Sequence, residues 1–273
     1  MAIDISDIEL SNVDLKKGVK LPTELSEDLA YLCGVLTGDG NISFREKKKS
    51  CVITCLGNLK DEKDFYDRII IPLFKSIFNI NLIPKAFTRD NTYGVQIHSR
   101  SIGRLFNRLG IPSGNKSGII EIPNIFQESE KLTKLFITGL ADADFCLTLK
   151  KRYTDTQYYP VVVGASKSKK IMEQVTYYLN VWGLSVCKDF DRPKLDKRFN
   201  KYTTTHMIYL YGHEQLVKWM HIIGFKNPKN LQRFELWKIR NKENPRAKEA
   251  FKILIAGTGV SEVRPHLNSP VAT

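Results

Sequence analysis

One stretch of this chain occurs twice. It runs Leu32-Cys33-Gly34-Val35-Leu36-Thr37-Gly38-Asp39-Gly40 and, about one small domain's length further on, Ile137-Thr138-Gly139-Leu140-Ala141-Asp142-Ala143-Asp144-Phe145. Each copy is an apolar helical run that ends in an acid. Small residues recur at helical spacing, Gly34 with Gly38 and Gly139 with Ala143, so each helix offers one flat stripe where another backbone can come close. The acid falls at the helix C-terminus, where the macrodipole is already negative, and a carboxylate there calls for a cation. A single copy would be ordinary helix packing with a solvated end. Two copies at this separation point to an internal duplication with the repeated helices at its seam.

The 273 residues suffice for two fused halves with a shared core. Hydrophobic residues make up 42% and charged residues 26%, ordinary for a globular protein, and no apolar run reaches the length of a membrane span. The opening MAIDISDIEL lacks the basic and apolar regions of a signal peptide, which gives the expectation of an intracellular protein with no membrane partner, the organelle left open. Lys and Arg total 42 against 29 acids, a net charge of +13 that favours a polyanionic partner. Cys33, Cys51, Cys55, Cys146 and Cys187 include no CxxC pair and read as small buried hydrophobes.

Residues 1–22 read as an irregular arm. Residues 23–110 form a first half: a helix capped around Thr23, Ser26 and Glu27 and ending at Gly38, then a hairpin over 41–56, an amphipathic helix over 61–78, a second hairpin over 81–98 and a helix over 101–109. Residues 111–130 connect to a second half, 131–255, in which the same order restarts. Its strands are 145–152, 158–165, 184–191 and 203–211, with Arg192 to Lys201 as a basic connection. Ile102, Leu105 and Gly110 correspond to Leu216, Trp219 and Gly224, so the repeat extends beyond the motifs. A further helix over 231–240, extended through 255, precedes a flexible tail, 256–273.

The fold class is therefore α+β: two αββαββα halves whose antiparallel sheets form a saddle around two central packed motif helices. Basic residues gather on the strands and their turns, and such a ribbon fits the major groove of a DNA duplex. The expected DNA-binding set is Arg45, Lys47, Lys48, Lys49, Arg89, His98, Lys150, Lys151, Arg152, Lys167, Lys188, Arg192, Lys194, Lys197, Arg198 and Lys201. The seam brings Asp39 and Asp144 together beneath the bound strands. Paired carboxylates holding a divalent ion suit phosphodiester hydrolysis, and hard oxygen donors favour Mg²⁺, with Mn²⁺ as a substitute.

LCGVLTGDG and TGLADADF, in this αββαββα order, resemble the LAGLIDADG homing endonucleases in their single-chain, two-motif form. The resemblance covers nearly the whole chain apart from its ends. It implies a monomeric metal-dependent endonuclease that cuts both strands of a long asymmetric site. It implies Asp39 and Asp144 as metal ligands, the carbonyls of Gly38 and Ala143 as additional ones, and a structural role for Asp142. It also places a catalytic lysine after the last helix of each half, for which Lys116 is the better match and Lys229 its counterpart; Lys167 is a third. Three positions depart from the family pattern: Phe145 replaces the closing glycine, Cys33 an alanine, and Thr37 an acid. The same basic surface also suits an RNA-binding intron maturase, with the intron RNA as partner, or a cleavage-inactive DNA-binding regulator. Retention of both acids favours the nuclease over the regulator.

Overall fold

The computed structural model describes residues 1–258, except 153 and 197–199. The N-terminal arm contains one short helix, α1 (Asn12–Lys16), capped reciprocally by Ser11 and Asp14. Asp14 is buried and accepts from the hydroxyls of Ser11 at 2.7 Å and Ser101 at 3.2 Å, which ties the arm to the first half. The arm is thus less irregular than its composition suggests, because a capping box is enough to start a single turn.

The first motif helix, α2 (Glu27–Gly38), starts at Ser26, whose hydroxyl accepts from the Leu29 N–H. It feeds directly into β1 (Gly40–Arg45), which turns back into β2 (Ser50–Asn58). A helical segment follows: α3 (Lys63–Phe65) passes through a π-helical turn at Tyr66–Ile70 into α4 (Ile71–Phe78). Then come β3 (Lys85–Phe87), β4 (Thr92–His98) and α5 (Arg100–Arg108). After the short α6 (Asn124–Gln127), the second motif helix α7 (Glu130–Asp144) opens the second half. It continues as β5 (Phe145–Arg152), β6 (Thr154–Ser166), α8 (Lys169–Val181), β7 (Cys187–Asp196), β8 (Lys201–Tyr211) and α9 (His213–Ile222). Helices α10 (Pro228–Arg240) and α11 (Pro245–Thr258) follow.

The two sheets have the same antiparallel order, β1-β2-β4-β3 and β5-β6-β8-β7. Register then decides which side chains meet the helices. Ile42, Ile53 and Ile97 lie in one row across the first sheet and are buried beneath them. The neighbouring row, Asn41, Thr54 and Gln96, turns to the other face, as period-two alternation requires. In the second sheet Leu147, Val162 and Leu210 form the buried row and Cys146, Val163 and Tyr209 the open one.

The motif helices meet through their small residues. A methyl group added at Gly34 would overlap the carbonyl of Phe136, and one at Gly139 would overlap the carbonyl of Tyr31, so only hydrogen permits this approach. Leu29, Leu32, Val35, Leu36, Phe136, Ile137 and Leu140 are buried around that line.

Two sequence expectations change. Arg192 to Asp196 is strand rather than loop: β7 kinks at Asp191, whose φ is 58°, and resumes pairing at Arg192. Pro193 is tolerated because β7 is an edge strand. Helix α10 is not extended through 255; Asn241 ends it and Pro245 starts a separate helix. Helix α11 reaches into the span expected as a tail, and residues 259–273 lie outside the described set. Cys187 is exposed, unlike the buried Cys33, Cys51 and Cys55, and all the cysteines are free.

Candidate active site

Helix ends and strand starts place the two motif acids. Asp39 caps α2 with φ −85° and ψ −7°, its N–H directed at the Val35 and Leu36 carbonyls, and the chain leaves at once into β1. Asp144 is the last residue of α7 and Phe145 its cap. At their C-terminal ends the helices almost touch: a Cβ at Gly38 would stand 2.5 Å from the Ala143 Cβ and 3.1 Å from the Asp144 Oδ2. Both motif carboxylates are half-buried at this one point of the seam.

Burial raises both acids. The Asp39 carboxyl lies well above the ordinary carboxylate range, chiefly from desolvation and then from the charges of Asp144 and Glu62, against which Lys116 and Lys229 act. Desolvation pushes Asp144 up to about 6, with Lys116 opposing. Two half-buried carboxylates at the negative ends of two helices form a site that favours a cation.

The other motif acid has a structural role. Asp142 is buried and accepts from the Tyr31 hydroxyl at 2.6 Å and from the N–H groups of Lys226 and Asn227, each at 2.9 Å. It therefore joins the first motif helix to the loop after α9. In the first half this position is Thr37, whose hydroxyl donates to the Cys33 carbonyl within its own helix.

The two lysines reach the seam differently. Lys116 leaves the connection after α5, and its ammonium donates to the carbonyls of Leu36 at 2.7 Å, Thr37 at 2.6 Å and Gly38 at 2.7 Å. It thereby caps the C-terminus of α2 and places a positive charge close enough to act on both acids. Burial lowers its own pKa, and Asp144, Cys55 and Asp39 oppose that. Lys229, in the first turn of α10, lies 3.5 Å from Glu62 across the seam. The carbonyls of Asp142 and Gly38 both accept side-chain donors, from Asn227 and Lys116 respectively.

Glu62 escaped sequence reasoning because it reads as an ordinary acid before a helix. In three dimensions it is 8% exposed and accepts from the Asn58 N–H at 2.7 Å and the Asn227 side-chain amide at 3.2 Å.

A cavity of about 680 Å³ opens beside Asp144, lined by Lys116, Lys167, Lys194, Thr203 and Thr205 among others. Of the expected DNA-binding residues, Arg45 and His98 fall on the open face of the first sheet by register. Arg89 is exposed in the turn before β4, and Lys47 and Lys49 in the turn between β1 and β2. Lys150, Arg192, Lys194 and Lys201 share the open side of the second sheet. Lys188 and Lys151 do not: Lys188 pairs with the buried Ile208 and adjoins α8, and Lys151 alternates with Lys150 toward the helices. Lys197 and Arg198 lie outside the described residues, as do the side chains of Lys48 and Arg152. The open faces also carry residues that a search for cations passes over: Asn41, Thr54 and Gln96 on one sheet, and Tyr209 and Tyr211 on the other, whose rings stack at 5.6 Å.

No family model matches the chain. Its architecture is similar to that of the homing endonuclease I-DmoI in complex with DNA and Ca, at TM-score 0.53 and 18% identity, covering 77% of this chain and 97% of that one. A structure of an I-DmoI variant with its nicked target DNA and Mn gives TM-score 0.51 at 18% identity, over 72% and 95% of the two chains. The chain has the fold of the LAGLIDADG homing endonucleases. A lysine-to-alanine mutant of I-SmaMI is similar over more of the sequence, 86% of this chain and 98% of that one, at 12% identity and TM-score 0.51. In this chain the paired helices α2 and α7 lie along the seam, and Asp39 and Asp144 stand at their C-terminal ends.

Proposed function

We propose that the chain is a site-specific DNA endonuclease that makes a divalent-metal-dependent double-strand cut. The observation that carries this reading is the meeting of Asp39 and Asp144 at the ends of two interlocked helices, between two sheets whose open faces are polar and basic. The structures of I-DmoI with DNA and Ca, and of its variant with nicked target DNA and Mn, support it by analogy of fold.

The donor set fits a hard cation. Among the described residues no group of three His, Cys, Asp or Glu side chains assembles a metal cage. The two motif carboxylates, with the Ala143 main-chain carbonyl as a further donor, would hold an ion that leaves positions open for phosphate and water, the arrangement Mg²⁺ prefers. The Gly38 carbonyl would join them only by giving up its hydrogen bond from Lys116. A divalent ion bound there supplies charge neutralisation at the phosphate and an activated water. The chain's own residues do the rest. Lys116 neutralises the helix end, Lys229 adds charge on the Asp39 side, and Lys167 and Lys194 at the cavity edge attract phosphates. The sheet faces hold the duplex in register so that both strands lie over the seam.

The test is incubation of the protein with DNA spanning the empty insertion site of its own gene, with and without Mg²⁺. The expected result is a double-strand cut only with the metal. Tight binding without a cut would overturn the enzymatic reading.

A further inference from the structure

The two halves do not hold their lysines alike. Lys116 is held by main-chain carbonyls of α2. Lys229 instead faces a carboxylate: Glu62 from the first half lies 3.5 Å from its ammonium. The same carboxylate accepts from Asn227, whose side-chain amide also donates to the Asp142 carbonyl at 3.0 Å, so Glu62 ties the loop before α10 to the first half. The Asn58 N–H, at the end of β2, fixes its other oxygen at 2.7 Å. Across the pseudo-twofold the corresponding connection, Lys167-Ser168-Lys169-Lys170 between β6 and α8, contains no carboxylate, and Ser168 donates to the Ile120 carbonyl. The asymmetry extends to the acids: burial dominates at both, but Asp39 is opposed by two ammonium charges, Lys116 and then Lys229, whereas Asp144 is opposed by Lys116.

We propose that Glu62 is a positioning residue: it fixes Lys229 on the Asp39 side of the seam and so sets the rate of one strand's cut independently of the other. A buried carboxylate in this place would otherwise be a cost, since it adds a further negative charge that acts on Asp39 beside that of Asp144. That cost is offset only if its three partners are held in place, and one of those partners is the lysine. Glu62 is not itself a third member of a metal cage, because no such triplet forms among the described residues and its oxygens are engaged by Asn58, Asn227 and Lys229. The inference rests on the endonuclease reading for its kinetic consequence, while the hold on Lys229 stands apart from it.

The experiment measures nicking of each end-labelled strand of the insertion-site duplex by the wild type, Glu62→Gln, Lys229→Met and the double variant. Gln keeps an acceptor for the Asn58 N–H and nearly the same shape. Glu62→Gln should slow one strand about tenfold and leave the other within about twofold. Lys229→Met should slow that same strand, and the double variant should be no slower than the slower single. Independently, acetylation by an activated ester, read by mass spectrometry on the intact fold, should modify Lys229 about threefold faster in Glu62→Gln, because the released ammonium is more accessible. Equal slowing of both strands, or unchanged labelling of Lys229, would overturn the proposal. A wild type that cuts neither strand would overturn the endonuclease reading instead, and the labelling would still decide whether Glu62 holds Lys229.

Discussion

The ring of Phe145 fills the space that a side chain at Gly164, its cross-strand partner, would need. In the first half the sizes are reversed: Gly40 pairs with Cys55. Phe145 is buried and stacks on Trp219 at 5.8 Å, where the first half has Leu105. The departure from the motif glycine is thus a compensated exchange of volume between strand partners, and the turn out of α7 is kept. Phe145→Gly should open a void and cost about 3–5 kcal/mol, and Gly164→Cys should clash with the ring. Joined, the two substitutions reproduce the Gly40–Cys55 pairing and should recover part of the loss. A double-mutant cycle by chemical denaturation measures the coupling, and strict additivity would refute it.

Asp39→Asn or Asp144→Asn should abolish cleavage and largely preserve DNA binding. Each should also stabilise the metal-free protein at neutral pH, because each removes a half-buried charge whose neighbours include another carboxylate. Cleavage gels, binding isotherms and thermal melts in chelator check the three parts. A variant lacking both acids that still cuts would refute the assignment.

The pH dependence has a definite sign. Asp144 is raised from 3.8 to about 6, so the folded state binds more protons than the unfolded state between those values. Stability of the metal-free protein should therefore fall as pH rises through that window and level off above it. The Asp144 contribution is on the order of 1–3 kcal/mol. It appears as the difference between wild type and Asp144→Asn in denaturation curves taken from pH 4 to 7. Metal affinity should rise over the same window, since the ion competes with the proton.

Lys116→Ala removes a donor to three carbonyls at the end of α2 and should destabilise the fold by about 1–3 kcal/mol. Cleavage should fall more than binding, because the lost charge acts on both acids from the end of α2 rather than from a sheet face. Equal loss of both would reduce Lys116 to a phosphate-binding role.

The two sides of the sheets make separable predictions for DNA affinity. Neutralising Lys194 or Arg45, on the open faces, should weaken binding and lower the salt slope by about 0.9 for each phosphate left without its cation. Lys188→Ala, toward α8, should leave the slope unchanged. Binding isotherms across a salt series distinguish the two, and a lowered slope for Lys188→Ala would place its side chain on the DNA face instead.

Much of this protein was legible in one dimension because its signals are local. Helical spacing of glycines, alternation in the strands and the repeat of both at domain length depend only on nearby residues, and they define the two halves, the seam and its pair of acids. What the sequence could not decide lies between residues distant along the chain. Lys116 against the carbonyls of α2, Glu62 against Asn227 and Lys229, and Phe145 over Gly164 exist only once the halves interlock. The continuation of β7 past Asp191 needed its partner β8, whose hydrogen bonds outweigh a basic, proline-containing composition that reads as loop. Local periodicity fixes which face of an element is apolar; which polar groups then meet across that face is settled by packing, where burial makes every unpaired charge costly enough to require a partner.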